Sequence, residues 1–333
     1  MFGHSHIPLQ KLPCTDMLAS QPISSFFNVF QTCVATTGVG IFIAISGWFG
    51  IKFSTRGLVN FIFTVLFTLW SVYFLAIVAG VSDFNLRGVG CCMGFYEGYW
   101  FVIGYLGLYL ASPVLNTFIN QASKRDMQIV LIGYYLFQSY CSWLSGWYDY
   151  YYGYSIILFS GIYLTSAYIR KYPIQFVQKH VLTCLMSVIM FVTLISMLSL
   201  IFWGHAARQI RDDNPLVIAS SVLLVIYFSR FSFSNSLINW LSASCFAVYL
   251  IHYNPLLYQP FVGIIRPLYA NMNGIGYSVM LLIALSVVYV ACTLFDQIRI
   301  ALWSLLNKYA ILCRERTDGS GGDDSEVIKK HHV

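Results

Sequence analysis

Apolar residues in this chain come in unbroken runs of about 20, the length a helix needs to cross a hydrocarbon core of about 30 Å. Polar and charged residues gather between the runs rather than alternating within them. Continuous runs of that length predict helices, because a helix satisfies its own backbone hydrogen bonds in lipid. Nine spans are predicted, over roughly 25–48, 58–80, 99–118, 127–144, 152–169, 181–203, 215–231, 236–252 and 276–303. The eighth is short and polar for a span. The expected fold is all-α, a polytopic helical membrane bundle. It occupies residues 1–313, with an outer N-terminal loop over 1–24. The tail 314–333, RERTDGSGGDDSEVIKKHHV, is polar and Gly-rich and is expected to be disordered.

Composition agrees with a single membrane domain. Of the 333 residues, 58% are hydrophobic and only 10% charged, which leaves no room for a large soluble unit. Trp70, Trp100, Trp203, Trp240 and Trp303 sit near run ends, where an interfacial aromatic belt belongs. Basic residues divide unequally between the two sets of loops. Lys52, Arg56, Lys124, Arg125, Arg170, Lys171, Lys179, Arg230 and those from Arg299 onward fall on one side. Lys11, Arg87, Arg208, Arg211 and Arg266 fall on the other. The positive-inside rule then places the C-terminus in the cytoplasm and residue 1 outside a cell inner (plasma) membrane. No pattern for nucleic-acid binding interrupts the runs. The nine cysteines form no Cys-x-x-Cys pair, and no metal site is expected.

Polar groups in mid-membrane are where function is sought. On the third span Tyr105, Tyr109, Ser112 and Asn116 share one helical face. Asn28, Thr32 and Thr36 do so on the first span, Tyr134, Gln138 and Ser142 on the fourth, and Tyr163 and Ser166 on the fifth. The plain reading of such stripes is helix-to-helix glue. The functional reading is a polar cavity for a hydroxylated substrate, with Tyr105, Tyr109, Asn116, Tyr163 and Glu97 as lining. His252 closes an apolar run on the eighth span, so its imidazole needs either a hydrogen-bond partner or a proton-transfer task. Lys52 and Arg56 serve as positive-inside anchors or as a clamp for the phosphates of an anionic donor.

Four segments, in order, resemble acyltransferase family 3, a family of membrane proteins. VGIFIAISGWFGIKFSTRG (39–57) is similar to its Gly-rich helix ending in Ile-Ser-Gly before a basic loop. YWFVIGYLGLYLASPVLN (99–116) is similar to its aromatic helix ending in Ser-Pro-x-x-Asn. SIILFSGIYLTSAYIRKY (155–172) fits the segment between, and LSASCFAVYLIHYNPL (241–256) resembles its late helix ending in Tyr-Leu-Ile-His. The resemblance implies an O-acyltransferase, usually an O-acetyltransferase, working on a cell-surface or secreted polysaccharide or its lipid-linked precursor. Its co-substrate would be acetyl-CoA or another acyl-CoA from the cytoplasm, with no bound cofactor. The partners would be the glycan or lipid-linked sugar acceptor and the surrounding lipids.

The chain departs from the family at its start. The family has ten spans, and its first carries an Arg, about ten residues and then a His that is the leading general-base candidate. That span is missing from the nine counted here. Either the start is assigned too late or the span is lost. Phe2-Gly3-His4 then reads as a remnant of its outer end, and His4 as the family histidine or a bystander. The catalytic candidates are therefore His252 and His4. The alternatives are a non-catalytic glycan-lipid transporter or flippase, and an inactive truncated acyltransferase.

Overall fold

The computed structural model describes residues 12–94, 99–145, 155–204, 207–232, 234–271 and 274–320. Those residues form fourteen α-helices and no strand. Each predicted span is largely helical over its described residues. Helix α1 is Thr15–Ser20, α2 Pro22–Phe49, α3 Thr55–Val78, α4 Leu86–Cys92 and α5 Trp100–Gln121. Helix α6, Lys124–Gln138, continues as a π-helical turn over Ser139–Leu144. Then follow α7 Ile156–Lys171, α8 Gln175–Lys179, α9 Val181–Trp203 and α10 Pro215–Phe228. The chain ends in α11 Ser236–Ala243, α12 Cys245–His252, α13 Pro255–Asn271 and α14 Gly274–Ser320.

Five of the described helices are long and apolar enough to cross a membrane: α2, α3, α5, α9 and residues Val279–Tyr309 of α14. Helix α10, with fourteen residues, is apolar but shorter. Spans begin where a small polar residue caps the first turn. Ser54, Ser123 and Ser155 accept hydrogen bonds from the amides of Gly57, Asp126 and Leu158, while Asn214 caps α10 just before Pro215. The bundle centres on α2, which packs against α7, α10 and α9, with α5 on α7. A second group joins α12 to α3 and α14. Gly47 lets α2 and α7 approach closely, since a Cβ there would lie 2.3 Å from the Tyr163 carbonyl oxygen.

The structure corrects four expectations. The predicted eighth span is two helices, broken at the buried Ser244. The break is patched from α14: Tyr289 donates to the Leu241 carbonyl (3.1 Å) and Gln297 to the Ser244 hydroxyl (3.3 Å). Such bonds satisfy backbone and hydroxyl groups that a continuous helix would have paired itself. Residues 253–275, read as a loop, contain α13, which starts where Asn254 accepts from the Leu256 amide at 3.0 Å. The tail expected to lose structure at 314 remains helical to Ser320, and 321–333 lie outside the described residues. Part of the supposed N-terminal loop is also ordered, as α1 and the start of α2.

Candidate functional site

The Gly50–Ser54 turn between α2 and α3 is held from two sides. Gly50 opens it at φ +78°, a conformation glycine adopts without strain. The Ile51 amide donates to the Tyr163 hydroxyl (2.8 Å), and that hydroxyl donates to the Asn116 amide oxygen (2.7 Å). Asn116 Nδ2 closes the ring by donating to the Ile51 carbonyl (2.8 Å). Tyr109 completes the grip: its hydroxyl accepts from the Ser54 amide (3.2 Å) and donates to the Ser54 carbonyl (3.1 Å). Three of the predicted lining residues, two on α5 and one on α7, thus converge on the turn that carries Lys52.

Beside the turn lies an open cleft of about 520 Å³, lined by Gly50, Ile51, Lys52, Asn116, Arg170 and Lys171 among others. Arg170 donates to the Trp48 carbonyl and lies 5.9 Å from the centre of the Phe49 ring. Lys171 Nζ donates to the Ile119 carbonyl at 2.6 Å. Both cations therefore sit at the C-terminal ends of α2 and α5, where the helix dipoles favour positive charge. Exposed Lys52 adds a third cation. Arg56 is exposed on the first turn of α3 and does not line this cleft. Sequence reasoning missed Arg170 and Lys171, having read them as topological anchors. The signal available was their position at the end of the helix that carries Tyr163.

His252 occupies the opposite end. Its side chain is 3% exposed, with the ring packed against Phe261 (5.5 Å between centres) and Tyr249 (6.3 Å). Nδ1 lies 2.6 Å from the Val248 carbonyl oxygen. A carbonyl only accepts, so Nδ1 carries a hydrogen. A second cavity of about 240 Å³ opens at this end, lined by Tyr73, Arg87, Cys92, Tyr99 and Asn254 among others. His4 and Glu97 lie outside the described residues.

Between the two ends the bundle holds aromatic rings in series. Phe61 lies 5.8 Å from Tyr105 and 5.1 Å from Phe246. Phe101 lies 5.8 Å from Tyr105 and 5.5 Å from Tyr249. The Tyr105 hydroxyl is shared with Ser46 at 3.2 Å. Where the sequence suggested a polar chamber, the stripe's hydroxyls are used between helices and to fasten the turn. Thr32 and Thr36 bond back to carbonyls of their own helix. The separation of the ends follows from α5: Phe101 and Asn116 stand fifteen residues apart, about 22 Å along a helix.

The acyltransferase domain model of acyltransferase family 3 matches residues 1–296. The chain belongs to that family. No curated relative and no solved structure matches this acyltransferase family 3 chain. Membership makes it a membrane acyltransferase, and both the bundle and the buried polar pins are those of a protein built around helices that cross a bilayer.

Among the described residues no group of three or more His, Cys, Asp or Glu is placed to hold a metal ion. The described ionisable side chains form two buried pairs. Arg299 makes two bonds to Asp296 (2.5 and 2.8 Å) and a third to the Thr64 hydroxyl (3.1 Å), joining α14 to α3. Arg211 makes two bonds to Asp213 (3.0 and 2.5 Å) in the connection between α9 and α10.

Proposed function

We propose that the chain moves an acyl group, an acetyl group in the first instance, from a cytoplasmic acyl-CoA to a hydroxyl of an envelope glycan or its lipid-linked precursor. The observation that carries the reading is the pairing, in one acyltransferase-family bundle, of a three-cation cleft at one end with a buried histidine at the other. Lys52, Arg170 and Lys171 suit the phosphates of the donor's nucleotide end, because Arg binds phosphate bidentately and Lys as a point charge. The donor's long thin pantetheine arm then runs along the aromatic column, which must part to admit it.

The His252 imidazole takes the proton of the acceptor hydroxyl as its oxygen attacks the thioester carbonyl. The tetrahedral intermediate collapses, the carbon–sulfur bond breaks, and the departing thiolate receives the proton that the imidazole took. General-base help of this kind contributes typically about 10²–10⁴-fold. The C-terminus is then cytoplasmic, in accord with the basic side of the molecule.

The test is release of free thiol from acetyl-CoA by the purified full chain in lipid nanodiscs, with and without a hydroxylated acceptor. Acceptor-dependent thiol release supports the reading. A glycan transporter or an inactive acyltransferase would release none.

A further inference from the structure

One buried polar cluster lies outside the proposed transfer route. It sits at the end of the molecule opposite the basic cleft, where the last turns of α6 meet the connection from α9 to α10. Asp213 is fully enclosed. It accepts from Nε and Nη2 of Arg211 and, in a very short contact, from the Ser142 hydroxyl. Asp212, next to it, is half-buried.

Gln138 is the unexplained member. It is 0% exposed, and neither its amide oxygen nor its amide nitrogen has a hydrogen-bond partner. An enclosed amide left in that state is destabilising, so in a folded protein it points to something that it binds. Its direction is fixed by its neighbours on the same helical face. Four residues later Ser142 bonds Asp213, and four residues earlier Tyr134 reaches the Leu158 carbonyl of α7. Gln138 between them therefore lies on the face where that loop and α7 meet α6. The helix also changes to π geometry over Ser139–Leu144, a local irregularity frequent at functional sites.

We propose that Gln138, Ser142, Arg211, Asp212 and Asp213 form a binding site for an uncharged polyhydroxylated ligand, a neutral carbohydrate segment. An amide with one donor side and one acceptor side, beside carboxylate acceptors and a guanidinium donor, matches the alternating donor and acceptor character of neighbouring hydroxyls. Asp213 already neutralises the Arg211 guanidinium, so no free cation is left to attract an anionic ligand. The Arg211–Asp213 pairing leaves too little free charge for a strong cation site. Asp212 is partly exposed, and Gln138 is fully enclosed. That the ligand is a carbohydrate rests on the acceptor reading above. The site itself rests on the unpartnered amide.

The test measures binding without any acyl donor, so it fails or succeeds independently of thiol release. Full-length protein in nanodiscs is titrated with maltotetraose and chitotetraose as neutral probes and with tetragalacturonate as an anionic one. Wild type should bind at least one neutral probe, and bind tetragalacturonate about tenfold or more weakly. Gln138→Leu should weaken neutral-probe binding about tenfold or more while melting at or above the wild-type temperature, because an unpaired buried amide has been removed. If Gln138→Leu does not fold, Asp212→Asn should still weaken binding severalfold. No neutral-probe binding by wild type, equal or better binding of the anion, or unchanged affinity in the folded variant overturns the proposal.

Discussion

Tyr163 and Asn116 bond each other at 2.7 Å and together take both backbone groups of Ile51, so two distant helices fasten one turn. Tyr163→Phe removes the acceptor for the Ile51 amide and the donor to Asn116. The loss should cost about 1–3 kcal/mol, the usual penalty for a buried group left unpaired. Denaturant unfolding in mixed micelles measures it. The same variant should bind CoA more weakly, since Lys52 rides on the turn.

The cleft predicts a graded loss of donor affinity. Arg170→Gln and Lys52→Ala should each weaken CoA binding severalfold, and the pair together more. The wild-type affinity should fall as salt rises, because the contacts are charge-assisted and partly open to solvent. Equilibrium binding of CoA at two salt concentrations checks this. Arg56→Ala should leave CoA affinity unchanged, as its side chain lies away from the cleft.

Gly47→Val tests the α2–α7 crossing. A Cβ at this position meets the backbone of Tyr163, which cannot rotate away. Overpacking of this kind costs typically about 1–3 kcal/mol. The melting temperature should drop, and CoA affinity with it, because α7 also carries Arg170 and Lys171.

The ion pair between α14 and α3 is expected to matter for specificity of packing more than for net stability. Arg299→Leu leaves Asp296 enclosed and unpaired, at a cost of about 3–5 kcal/mol. Replacing both residues by Leu should recover most of that loss. The unfolding free energies of Arg299→Leu and of the double variant decide the point.

Asp212 gives a pH dependence of known sign. Burial first, and then the neighbouring Asp213 charge, push its carboxyl up to about 7, with Arg211 partly offsetting them. The folded state therefore holds a proton that the unfolded chain has already released between about pH 4 and pH 7. More protons bound when folded means that stability falls as pH rises through that window. Asp212→Asn should flatten the decline, seen as a smaller change in melting temperature between pH 4.5 and pH 7.5.

Much of the fold was legible because a bilayer imposes one rule, about 20 apolar residues per crossing, and the runs obey it. The break at Ser244 was not legible, because the bonds that tolerate it come from Tyr289 and Gln297, some fifty residues away in sequence. In the candidate site, helical spacing put Tyr109 and Asn116 on one face but could not say what they face. The structure shows that they grip a backbone turn. Arg170 and Lys171 were hidden because a cation at a membrane helix end is expected for topology alone. The Arg211–Asp213 pair was hidden because a charged loop looks solvated until its burial is seen.

The central claim is tested most directly by sealing the protein in vesicles with isotopically labelled acetyl-CoA on the side of Lys52 and a hydroxylated glycan acceptor on the side of His252. The account predicts labelled acetyl ester on the acceptor, abolished or reduced about 10²-fold or more in His252→Ala. Wild-type labelling in that variant, or labelled acceptor only when both substrates share the His252 side, would contradict it.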